Sequence, residues 1–195
     1  MRQSERCVEE KEMQVPSDGL ICAFILDGDG GATPIGWEEI STWQPGSDTV
    51  WIHLDRLGTE SRRWLAEESG VEIVVTEALL AEASRPRLLR FGKGLLLNFR
   101  GVNLNPGADP EDMVSVKIWA EPGRLITARH RRIMAIHDVR KTLEDEQLHG
   151  PRDIGDIIVG IGDGLLDRAG LAMDKLERKI DTIDIEVTGS DKTER

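Results

Sequence analysis

The sequence predicts an α/β chain: a mixed, largely antiparallel-paired β-sheet between helical layers, followed by a long amphipathic C-terminal helix. Three observations carry this. Short β-rich apolar runs recur, among them LICAFILD (20–27), TVWIHLD (49–55) and MVSVKIWAE (113–121). Apolar residues at helical spacing lie between and after them, as in RRIMAIHDVRKTLEDEQ (131–147). From Asp153 to Val187 there is no proline, and apolar residues alternate three and four apart.

In order, residues 1–18 are polar and charged and read as a loose leader. An α/β domain then spans 19–150. LICAFILD is a buried strand closed by a glycine cluster. TVWIHLD alternates Val50, Ile52 and Leu54 against Trp51, His53 and Asp55, and reads as a second strand. Thr59 followed by Ser61 to Glu68 reads as a capped helix with Trp64 and Leu65 inward. EIVVTEALLAEA (72–83) is mainly helical and stops before Pro86. Leu88–Phe91 and Leu95–Val102 flank Gly92-Lys93-Gly94, a hairpin signal. NPGADPED (105–112) is a loop, and PGR (122–124) turns MVSVKIWAE into LITARH (125–130).

The last helix, 151–188, has the clearest pattern. Leu166, Met173, Ile180 and Val187 are seven apart, with Ala169, Leu176 and Ile183 three residues on. A helix this long reaches roughly 50 Å, more than one small domain covers. Its seam therefore needs a partner, and the chain reads as cut short after a polar tail (189–195).

The longest nearly apolar run, IIVGIGDGLL (157–166), is interrupted by Asp163 and is far short of a membrane helix. The N-terminus has no signal-peptide core. Cys7 and Cys22 form no framework and read as reduced thiols. The net charge is −11. It is unevenly spread: segment 85–141 carries 12 Lys/Arg against 5 Asp/Glu. An acidic whole argues against nucleic acid as partner and concentrates cations nearby.

LDGDGGATPIGWE (26–38) places Asp27, Asp29 and Glu38 at positions 1, 3 and 12 of a calcium loop. Gly31 and Ala32 are wrong for positions 5 and 6, and a strand precedes the loop, so it reads as a turn. No GxSxG, HExxH or paired Cys/His spacing occurs, and no enzyme is expected. Asp156, Asp163, Asp167, Asp174 and Asp181 follow one stripe of the last helix, beside the apolar seam. Carboxylates in a row suit hydrated divalent cations, although charged faces on such helices are routine. The candidate metal contacts are Asp156, Asp163, Asp167 and Asp174, with His137, which has Asp138 beside it, next.

EASRPRLLRFGKGLLLNFRGVN (82–103) resembles the stretch around an arginine-proline-arginine motif in the CorA superfamily of divalent-cation transporters, with the ZntB zinc-transporter branch nearest. FILDGDGGATPI, VWIHLD with SRRWLAEESG, SVKIWAEPGRLITARHRRIMAIHDVRKTLE and LLDRAGLAMDKLERKIDTIDIEV resemble further stretches in the same order, over about residues 20–188. The resemblance implies the cytoplasmic funnel domain of a ZntB-like zinc or divalent-cation transporter, a homopentamer at the bacterial inner membrane. It implies roughly the first three-fifths of a full transporter, attached to the membrane only through a C-terminal part that this sequence lacks. No cofactor is expected beyond weak binding of Zn2+ or another divalent cation. The alternative is a stand-alone α/β interaction module whose last helix binds a helical partner. In the SRPR motif, Ser84 can end a helix, Pro86 enforces an extended approach, and Arg85 and Arg87 can pair with acidic neighbours.

Overall fold

The computed structural model describes residues 17–82, 85–105, 107–109, 112–145 and 149–190, with side chains as far as Ile185. Nearly all of the expected leader, most of the polar tail, Ser84 and the side chain of Val187 in the seam lie outside what is described. In chain order the strands are β1 (Leu20–Leu26), β2 (Ala32–Pro34), β3 (Thr49–Asp55), β4 (Arg87–Phe91), β5 (Gly94–Gly101), β6 (Val114–Glu121) and β7 (Arg124–Arg129). The helices are α1 (Trp37–Thr42), α2 (Thr59–Glu67), α3 (Ile73–Leu80), α4 (Met134–Glu144) and α5 (Ile154–Ser190). The strands form one sheet in the order β2-β1-β3-β7-β6-β5-β4. Only β3 and β7 pair in parallel. The expected mixed, mostly antiparallel sheet with a long terminal helix is what the chain forms.

The alternation in β3 sorts its side chains between two cores. Val50, Ile52 and Leu54 pack with Ile40 of α1, Trp64 and Leu65 of α2, and Val75 and Leu79 of α3. Trp51 faces the other way and packs with Ile136 and Val139 of α4 and Ile157 and Ile161 of α5. All four apolar residues are essentially inaccessible to solvent. A strand covered by helices on both faces has no wet side, so alternation here marks direction rather than exposure. Each fully buried Leu, Ile or Val contributes about 1.5–3 kcal/mol.

The close approach of α4 and α5 rests on small residues. A Cβ added at Gly164 would stand 2.9 Å from Ala135 Cβ, and one at Gly160 3.1 Å from Val139 Cγ2. Glycines at i and i+4 lie on one helix face and let the two backbones come together.

Four local expectations change. β2 and α1 are too short for a periodic signal. α1 is held at its start by Glu39, whose Oε2 accepts from the Gly36 amide at 2.9 Å. α3 ends at Leu80 rather than Ala83, because Ala81 is already extended (ψ 144°) as the chain turns toward β4. α4 is shorter at both ends than the 131–147 periodicity suggested. Among the described residues Arg85 and Arg87 form no ion pair. Instead the Arg85 carbonyl accepts from Asn98 Nδ2 at 2.9 Å, which ties the motif to β5 by its backbone.

Within the 26–38 stretch, residues 27–31 form a turn between β1 and β2, as the residues suggested. Asp27 Oδ1 accepts the amides of Asp29 at 2.8 Å and Gly31 at 2.9 Å. Gly28 and Gly30 take φ of 85° and 104°, which side chains disfavour. The Asp29 amide above all, then that of Gly31, holds the Asp27 carboxyl below its usual range. Glu38 belongs to α1, beyond the turn.

Candidate functional site

The C-terminal helix is the longest element, and its second half is exposed. Its first turns are anchored: Ile157, Ile161 and Leu165 are buried against the sheet and α4. Beyond Leu165 its large apolar residues are open. Leu166, Met173, Leu176, Ile180 and Ile183 are each between 56% and 70% exposed, so the predicted seam is a bare stripe. At about 3.6 residues per turn, Asp156, Asp163, Asp167, Asp174 and Asp181 fall within roughly 40° of one another, on the side away from Ile161 and Leu165. Asp163, Asp167, Asp174 and Asp181 are exposed, and Asp156 is half-buried.

These carboxylates form a row and do not converge. Seven residues separate Asp156 from Asp163, roughly 10 Å along the axis. Among the described residues no three His, Cys, Asp or Glu side chains gather as a metal cage. Asp156 is engaged locally: its Oδ2 accepts from the Arg152 amide at 3.1 Å and from Arg152 Nε at 3.3 Å. The Arg152 amide, then its guanidinium, lowers the Asp156 pKa.

His137 stands apart from the row, on α4. Its Nδ1 lies 3.7 Å from Asp138 Oδ1. Asp138 in turn pairs with Arg168 of α5, so α4 and α5 are joined by charge as well as by packing. The hollow beside His137 is lined by Arg129, Arg132 and Arg140, which makes it electropositive. His130 does not share its helix face, since it precedes α4.

Sequence reasoning missed a buried polar chain across β3 and β7. Trp51 Nε1 donates to Thr127 Oγ1 at 2.9 Å, and His53 Nδ1 lies 2.8 Å from the same oxygen. Arg129 Nε donates to His53 Nε2 at 3.3 Å, which leaves the proton of the neutral ring on Nδ1. Burial first, then the Arg129 charge, pushes the His53 pKa down to about 3. The only sequence signal was three polar residues inside otherwise apolar strands. Cys22 lies near this chain, and burial pushes its thiol up to about 12, so it stays protonated.

A family model described as CorA-like Mg2+ transporter protein matches residues 46–195. The chain belongs to the CorA-like family. Among its relatives, the divalent cation transporter CmaX of Pseudomonas aeruginosa is 36% identical over 169 residues, covering 85% of this chain and 50% of the relative. The zinc transport protein ZntB of Pectobacterium atrosepticum is 36% identical over 176 residues, covering 90% and 51%. This CorA-like chain thus spans about half the length of the curated relatives it matches. The structure of full-length CmaX superposes with a TM-score of 0.80 at 34% identity, covering 88% of this chain and 53% of that one. The ZntB cytoplasmic domain of Vibrio parahaemolyticus superposes with a TM-score of 0.75 at 29% identity, covering 86% and 66%. Among the described residues no helix is long and apolar enough to cross a membrane.

Proposed function

We propose that this chain is the cytoplasmic domain of a ZntB-like zinc or divalent-cation transporter of the bacterial inner membrane, and that it gathers cations and assembles the oligomer. The observation that supports this most is the geometry of α5, which carries a bare apolar seam on one side and an aspartate row on another. The seam favours helix-to-helix association, in the family's case into a pentamer. Association multiplies the acidic rows, and a wall of like charge concentrates counter-ions along it. Asp156, Asp163, Asp167 and Asp174 are the proposed contacts for Zn2+ or another divalent ion. Only Asp163 and Asp167, one turn apart, are near enough on one helix to share an ion, so the other ligands come from neighbouring copies or through water. His137, among arginines, contributes only once a second copy brings carboxylates to it. Cation binding between copies biases their packing, and so links occupancy to the state of the assembly.

Calorimetry with Zn2+ and Mg2+ tests the reading, with sedimentation of the same samples. Saturable binding that weakens at least tenfold when the four aspartates become Asn supports it. Unaltered binding in that variant removes the aspartates from the site. The bare seam also fits a stand-alone module that binds a helical partner. That reading gains if the chain stays monomeric with and without metal yet binds an amphipathic helix.

A further inference from the structure

The carboxyl ends of β3 and β7, the parallel pair, meet a cleft of about 330 Å³. Ligand sites in α/β sheets favour such ends, because strands and loops diverge there. The lining comes from several elements. Arg56 follows β3, Arg129 ends β7 and Arg131 lies just beyond it; Arg100 is near the end of β5, and Lys117 is on β6. Against these five cations the lining offers, among the described residues, two carboxylates, Glu82 and Asp112. Asp112 is already paired, accepting from Arg131 Nη1 at 2.9 Å. The cleft is therefore electropositive in a chain of net charge −11. It gives a place to the basic segment 85–141, which a cation-gathering surface leaves unexplained.

The cations are not merely surface charges. Lys117 is 3% exposed, and Arg56 and Arg129 are each 9% exposed. Asp55 offsets part of the Arg129 charge, yet burial still holds that guanidinium below its ordinary pKa. Burial above all, then the charges of Arg87 and Arg56, holds the Lys117 ammonium below its ordinary pKa. Arg129 spends its Nε on His53, and Arg56 spends one Nη on the Leu80 carbonyl at 3.4 Å. Each guanidinium has five N–H groups, so both keep donors for a ligand. Guanidinium forks match the paired oxygens of a phosphate. The volume is at the low end of small-molecule sites, room for a phosphorylated group rather than a single ion.

We propose that this cleft binds a small soluble diphosphate, free or as part of a nucleotide, through Arg56, Arg100, Lys117 and Arg129. The site stands apart from the α5 aspartates and does not depend on the cation reading. Calorimetry on the whole chain with inorganic pyrophosphate, ADP and KCl at matched ionic strength tests it. Saturable one-to-one binding of pyrophosphate is expected, with ADP tighter if a nucleotide is the ligand. Lys117→Met should weaken pyrophosphate at least tenfold. Arg100→Gln, on an exposed rim residue, should weaken it at least threefold and remains informative if Lys117→Met does not fold. A response to pyrophosphate no larger than to KCl overturns the proposal, as does equal affinity in the wild type and the folded variants.

Discussion

His53 Nδ1 lies 2.8 Å from Thr127 Oγ1, and the two residues are register partners across the parallel strands β3 and β7. Both are buried, and that burial above all, then the charge of Arg129 on the far nitrogen, keeps the ring neutral. The folded pKa of His53 is about 3, against 6.5 for the free side chain. The unfolded chain therefore takes up a proton that the native chain refuses. This contribution is fully present above pH 6.5 and is lost as pH falls from there toward 3. The loss approaches about 1.4 kcal/mol per pH unit within that window. Urea unfolding at pH 7, 6 and 5 should show falling stability, and His53→Gln should flatten that slope even though it starts from a less stable protein. An unchanged slope would mean that His53 is protonated in the fold.

Gly164 packs against Ala135. Gly164→Val places a branched side chain where a Cβ already meets Ala135 Cβ at 2.9 Å. Overpacking of this kind costs about 1–3 kcal/mol. Thermal melts should show a drop of several degrees, and Ala135→Gly in the same chain should recover part of it. Full tolerance of Gly164→Val would show that α4 and α5 separate easily.

Arg124 joins three neighbours on the face covered by α1–α3. It donates through Nη1 to the Ser69 carbonyl at 2.7 Å, pairs with Glu121, and lies 5.0 Å from the Trp43 ring centroid. It is 7% exposed. Arg124→Lys keeps the charge but not the fork or the stacking, and should cost about 1–3 kcal/mol. Tryptophan emission should shift as Trp43 loses its cover. Loss below half a kcal/mol, measured by denaturant midpoint, would show that the charge alone suffices.

The α5 seam should behave unlike a core. Leu176 and Ile180 are 58% and 56% exposed, so Leu176→Glu with Ile180→Glu should leave the midpoint of unfolding of a dilute, monomeric sample almost unchanged. The same pair should abolish self-association at high concentration, read by sedimentation velocity. Oligomers that survive the double change would place the contact elsewhere.

The Asp138–Arg168 pair is the contrasting case. Its side chains are 53% and 23% exposed. A partly solvated pair is worth about 0–1 kcal/mol and is screened by salt. A double-mutant cycle with Asp138→Asn and Arg168→Gln should give a coupling in that range that falls further in high salt. Coupling of several kcal/mol would mean that the pair is drier than its exposure implies.

Much of the architecture was legible in the residues, because secondary structure follows local periodicity. An apolar run closed by glycines marked β1, period two marked β3 and β6, a cap signal marked α2, period 3.6 marked α4, and the glycine-flanked hairpin marked β4 and β5. The heptad-like spacing marked α5 together with its unfilled seam, and the aspartate row needed only helical geometry to be seen. What stayed hidden depends on contacts between distant residues. Nothing local says that β3 lies beside β7 in parallel, so the His53–Thr127–Trp51 chain could not be anticipated. For the same reason the segment 85–141 showed only an excess of positive charge. Chain topology alone brings Arg56, from outside that segment, to Arg100, Lys117 and Arg129 and turns the excess into a cleft. The sequence determined which faces are apolar or charged, since those are properties of each side chain and its spacing. The tertiary structure decided which charges share a low-dielectric space, since that depends on long-range pairing.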